Sequence, residues 1–132
     1  LKEKHGLQVV ITGVESDRAF AGMDQILSAS GEACVSLIGK LSLLGTAAVI
    51  QKAKLLCSVD SSPIHMAEAL HTPVVALFGP MNPYVWMPRH TPSRIIHPTV
   101  AHNEFSPETP SAKMSDISVE YVLRNISEIL AG

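Results

Sequence analysis

Four aliphatic runs recur along the chain: LQVVITG (7–13), ACVSLIG (33–39), LLCSVD (55–60) and TPVVALFG (72–79). Each is too short for an ordinary helix, rich in Val, Ile or Leu, and ends in Gly or Asp, which is the pattern of a strand buried on both faces of a sheet. A fifth, weaker run is SRIIHP (93–98). The intervening segments have helical spacing. From Arg18 to Ser30 the apolar positions are Phe20, Met23, Ile26 and Leu27, with Gly31 as the cap. LSLLGTAAVIQKAK (41–54) has Ser42 near its start and Lys52 and Lys54 near its end, and a further helix is expected from Pro63 to Leu70. A polar, Pro-rich loop follows from Pro98 to Lys113, and an amphipathic helix from Ile117 to Leu130. Strands alternating with helices imply right-handed βαβ units, so the expected class is α/β, a doubly wound, mostly parallel sheet. Ligands of such sheets bind beyond the carboxyl ends of the strands, here at GVESD, at GKLS, at Asp60 with the SSPIH that follows it, and at FGPMNP.

At 132 residues the chain is expected to be one domain or a piece of one, residues 1–132 forming a single partial domain. It opens LKEKHG, without Met, as the tail of a helix would, so a longer polypeptide is expected. Hydrophobic residues make up 46% and charged residues 17%, which implies a packed core. Net charge is −2 with no basic face, so nucleic acid is not an expected partner. No apolar run reaches the roughly 18 residues of a membrane-spanning helix. Cys34 and Cys57 lie in separate expected strands as small hydrophobes, in a reducing, cytoplasmic setting. His5, His71, His90, His97 and His102 lack zinc-like spacing, so neither a metal nor another cofactor is expected.

The turn at residues 60–65 carries the most chemistry. Pro63 suits the first helical position, which makes Ser62 the expected N-cap. The amides of Ser62, Ile64 and His65 then lie at the positive end of the helix dipole, where a phosphate or carboxylate is favoured. Ser61 and Ser62 add hydroxyl donors, and His65 can donate to an anion. Asp60, a carboxylate at the strand end, is suited to sugar hydroxyls or to orienting the turn. An ordinary capped helix start has the same residues, and both readings stand. Gly13 and Gly39 permit tight turns, GPMNP is either a binding loop or a connection, and Trp86 and Tyr84 are read first as packing. No G-x-S-x-G, P-loop or G-x-G-x-x-G occurs, so the chain reads as a binding half-site without a catalytic machine.

The order VVITG, acidic loop, LIGKLSL, AAVIQKAK, LLCSVD running directly into SSPIHMAEAL, and TPVVALFGPMNP closely resembles the carboxyl-terminal domain of the bacterial heptosyltransferases, glycosyltransferase family nine. The likeness covers roughly residues 7 to 89, and its specific part is the DS-x-P-x-H-x-A-x-AL-x-TP-x-V-x-LFGP run. The resemblance implies a Rossmann-like carboxyl-terminal half of a GT-B enzyme, truncated at its amino terminus and short of one strand of its sheet. It implies transfer of heptose from ADP-heptose to the lipopolysaccharide inner core. That work would take place in the cytoplasm, up to the cytosolic face of the inner membrane. The lipopolysaccharide precursor would be bound through a missing amino-terminal domain that also holds the catalytic base, which would leave these residues inactive alone. By the same resemblance Asp60 faces the donor sugar, Ser61, Ser62 and the helix amides meet the diphosphate with His65 nearby, Leu41 meets the adenine, and Asp17 meets the ribose. The family usually has Gly at position 62 and an acid at position 45, where this chain has Ser62 and Gly45. A nucleotide-binding or interaction module of the same fold, without transfer activity, is the alternative.

Overall fold

The computed structural model describes residues 1–19, 22–101 and 104–132. Phe20, placed above on a helical face, and His102 lie outside the described residues. The chain divides into two compact units, Leu1–Thr46 and Ala47–Gly132.

In the first unit, helix α1 (Lys2–His5) ends at Gly6, whose φ of 63° gives the left-handed cap that glycine allows. Strand β1 (Val9–Ile11) pairs in parallel with β2 (Cys34–Ser36), Val9 opposite Cys34 and Ile11 opposite Ser36. The ladder continues past both strands, because Leu37 N donates to Ile11 O at 2.8 Å and Gly39 N to Gly13 O at 2.9 Å. The helix expected from Arg18 to Ser30 is two elements: a 3-10 turn, Glu15–Ala19, and helix α2 (Met23–Ser30). Gly22, at φ 96°, stands outside the helical region and starts the second element afresh. Burial on both faces does not hold for these strands. Val10 is 41% and Val35 43% exposed, so one face of the pair is open.

Helix α3 (Leu43–Lys52) leads into the second unit, where β3 (Leu56–Val59), β4 (Val74–Leu77) and β5 (Ser93–Ile96) form a parallel sheet in that order. Central β4 sorts its side chains by the period of two. Val74 and Ala76 join Ile50, Phe78 and Ile95 with Ile64 and Ala67 of α4 (Ser62–Ala69). Val75, on the other face, joins Ile96 and Ile126 of α6 (Val119–Ala131). This sheet is covered on both sides, as a doubly wound fold requires. On edge strand β3, Cys57 and Val59 are exposed, so Cys57 is not the packed hydrophobe expected.

The strand entrances of this unit are tied by hydroxyls. Buried Thr72 donates from Oγ1 to Ile50 O at 2.9 Å, and its own carbonyl accepts from Thr91 Oγ1 at 3.0 Å. Helix α4 ends in a Schellman pair: His71 N donates to Glu68 O and Thr72 N to Ala67 O, with His71 at φ 56° where glycine is usual.

Candidate functional site

The turns after β1 and β2 hold one another through charged side chains. Asp17 Oδ2 accepts the Val14 amide at 2.8 Å, which closes the turn after Gly13. Arg18 donates from Nε to Glu15 Oε1 at 2.8 Å and from Nη2 to Ile38 O at 3.0 Å. Glu15 and Arg18 thereby connect the acidic turn to GKLS, a role missed above although the i, i+3 spacing of opposite charges signals it. Leu41, half-buried, precedes Ser42, whose Oγ accepts the Gly45 amide at 3.0 Å and caps α3. Asp17 and Leu41 are in the first unit; Asp60, Ser61, Ser62 and His65 are in the second.

At the carboxyl end of β3 the expectation needs one correction. Ser61, with extended backbone (φ −161°, ψ 171°), is the N-cap; Ser62 is the first helical residue and Pro63 the second. Proline is tolerated there as well as one place earlier, because none of the first amides has an intrahelical acceptor. The Ser61 hydroxyl does not cap the helix. It donates instead to Val59 O at 3.1 Å and lies 3.3 Å from Ser58 Oγ. The side-chain acceptor that would ordinarily satisfy a first-turn amide is thus turned back toward the strand. Ser62 and His65 are exposed, and Ser62 is outside the left-handed region, so the backbone accommodates its Cβ. The Asp60 amide is fixed to Leu77 O at 3.1 Å, while among the described residues its carboxylate has no hydrogen bond or ion pair. A free carboxylate, a helix start without a side-chain cap and an imidazole in the first turn suit a polyhydroxylated anion.

Downstream, the GPMNP loop is anchored. Gly79 O accepts the Ala112 amide at 2.8 Å, and Asn82 Nδ2 donates to Ser106 O and Pro107 O. Asn82 also accepts the Tyr84 amide at 2.9 Å and so caps a short helix, α5 (Pro83–Trp86). Trp86 is not core packing: it is 46% exposed, and its ring lies 6.4 Å from that of His65 at an interplanar angle of 67°. Glu68, one turn beyond His65 on α4, accepts the amides of Arg89 at 2.6 Å and His90 at 3.0 Å. The Arg89 amide above all, with that of His90 and the charges of His90 and His65, holds its carboxyl below the usual range against the opposing effect of partial burial. Among the described residues no three His, Cys, Asp or Glu side chains gather as metal ligands, and no helix is long and apolar enough to cross a membrane.

Parallel sheets with helix-starting turns at their carboxyl ends define a Rossmann-like α/β protein. Residues 1–114 match the family described as glycosyltransferase family 9 (heptosyltransferase), and the chain belongs to that family. It is 36% identical over 87 residues to lipopolysaccharide heptosyltransferase 3 of Escherichia coli K12, which covers 65% of this chain and 25% of that protein. It is 28% identical over 132 residues to lipopolysaccharide heptosyltransferase 2 of the same strain, covering 95% of this chain and 38% of the relative. The solved structure of E. coli ADP-heptose lps heptosyltransferase II superposes with a TM-score of 0.70 at 28% identity, over 94% of this chain and 36% of that one. The chain thus spans between a quarter and two fifths of the length of these relatives.

Proposed function

We propose that residues 1–132 act as one nucleotide-sugar-binding domain of a heptosyltransferase, holding ADP-heptose for transfer to the lipopolysaccharide inner core at the cytoplasmic side of the inner membrane. The observation that carries this reading is the start of α4, where the Ser61 hydroxyl is turned to Val59 O and leaves the positive end of the helix without its side-chain cap. In a family named for heptosyl transfer, the diphosphate is the fitting anion for that position. Ser62 and His65 donate to its oxygens, Asp60 accepts from sugar hydroxyls, and Leu41 and Asp17 serve the adenine and ribose. Positive charge held on the diphosphate stabilises it as leaving group, and a base from outside these residues deprotonates the acceptor hydroxyl.

Calorimetric titration of the chain with ADP and ADP-heptose tests the reading. Saturable binding is expected, weakened about tenfold or more by Asp60→Ala or His65→Ala with the thermal midpoint little changed, since hydrogen bonds to charged groups each contribute about 1.5–3 kcal/mol. Absence of binding to either ligand overturns it. The departures Ser62 and Gly45 favour the second reading, a nucleotide-binding module without transfer. Binding by the full-length protein with no turnover of ADP-heptose would select it.

A further inference from the structure

Helix α5 has four residues, too few to persist by itself, so its position is set by what holds its ends. At the amino end Asn82 caps it and donates to Ser106 O at 3.0 Å and Pro107 O at 3.1 Å. Beyond the carboxyl end Glu68 accepts the Arg89 and His90 amides, and Arg89 Nη2 donates back to Tyr84 O. The segment from Asn82 to His90 is therefore a strap fastened at both ends, and one fastening is on α4 itself. Trp86 lies between these anchors with its ring beside that of His65. Glu68 and His65 are three residues apart on α4, so the same stretch of helix receives both the strap and the indole.

We propose that Trp86 is a positioning residue: the strap holds its indole against the imidazole of His65 and so restricts that side chain to rotamers that face the ligand of the α4 turn. The inference rests on the donor-binding reading above. An exposed first-turn histidine otherwise spreads over several staggered rotamers, and selecting one on binding costs affinity. A ring fixed from another element removes part of that cost in advance.

A double-mutant cycle on the full chain, read by ADP titration, tests the proposal. Trp86→Ala is expected to weaken ADP binding about threefold to tenfold, a coupling common between contacting residues, whereas Trp86→Phe keeps most of the affinity. In a His65→Ala background, Trp86→Ala is expected to add nothing. Proton NMR supplies a readout independent of ligand: the ring-current displacement of the His65 imidazole protons should disappear in Trp86→Ala and persist in Trp86→Phe. If Trp86→Ala fails to fold by circular dichroism, Trp86→Leu takes its place in each arm. Wild-type binding that Trp86→Ala leaves unchanged, an equal loss in the His65→Ala background, or unmoved imidazole protons overturns the positioning role alone. A wild type that binds no ADP overturns the donor reading and takes this inference with it.

Discussion

The carboxylate of Glu15 occupies the space in which residue 39 would carry a Cβ, and Gly39 lies there at φ 70°. The carboxylate is the end of a flexible chain and moves cheaply; the backbone does not. Gly39→Ala should therefore lower stability by about 1–2 kcal/mol, the cost of a left-handed non-glycine residue, as read by urea denaturation. An unchanged midpoint would show that the GKLS turn relaxes to another conformation.

Gly45 offers the opposite case. A Cβ built on it meets Ser42 Oγ at 3.4 Å and Leu41 side-chain atoms at 3.5 Å, ordinary contact distances. Gly45→Ala should stabilise the chain by about 0.5–1 kcal/mol through helix propensity and a less flexible unfolded state. A fall in the thermal midpoint would contradict this.

His71 closes α4 in the left-handed conformation without a glycine. His71→Gly should raise stability by about 1 kcal/mol while leaving the Schellman bonds to Ala67 and Glu68 in place. Slower amide exchange at residues 71 and 72 would accompany the gain.

Glu68 predicts a dependence on pH. Its folded pKa is depressed, chiefly by the Arg89 amide, then by the His90 amide and the charges of His90 and His65. A depressed carboxylate stabilises the fold fully above its unfolded pKa and loses that contribution as pH falls through the folded value. The thermal midpoint of Glu68→Gln should lie below wild type near neutral pH and converge with it in acid. Parallel curves from neutral to acidic pH would rule out the charge of Glu68 as the cause.

The strands and principal helices were legible because continuous aliphatic runs and helical spacing are local signals, and so was the placing of candidate residues at strand-to-helix turns. What was missed is non-local or degenerate. VVI and CVS read alike whether one or both faces are covered, so the openness of Val10 and Val35 could not be seen. With two adjacent serines before Pro63, the sequence reading puts the cap at Ser62, one residue late, and nothing in sequence announces that the Ser61 hydroxyl turns back to Val59 O. Glu68 meets residues 89 and 90 across some twenty positions, beyond any window of periodicity. The Asn82-Pro83 start of α5 has a cap signature, yet in the sequence reading GPMNP is only a binding loop or a connection.

The hydroxyl ties of Thr72 and Thr91 join the C-terminal part of α3 to the entrances of β4 and β5, whereas Asp60, Ser61 and His97 stand at the exits of β3 and β5. The second unit therefore keeps its hydroxyl fastening at the entrances, at the opposite end of the sheet from the α4 turn with its free Asp60 carboxylate. Drift in the exit turns leaves the fastened end intact, so descendants of this chain are free to change what they hold without relearning how to fold.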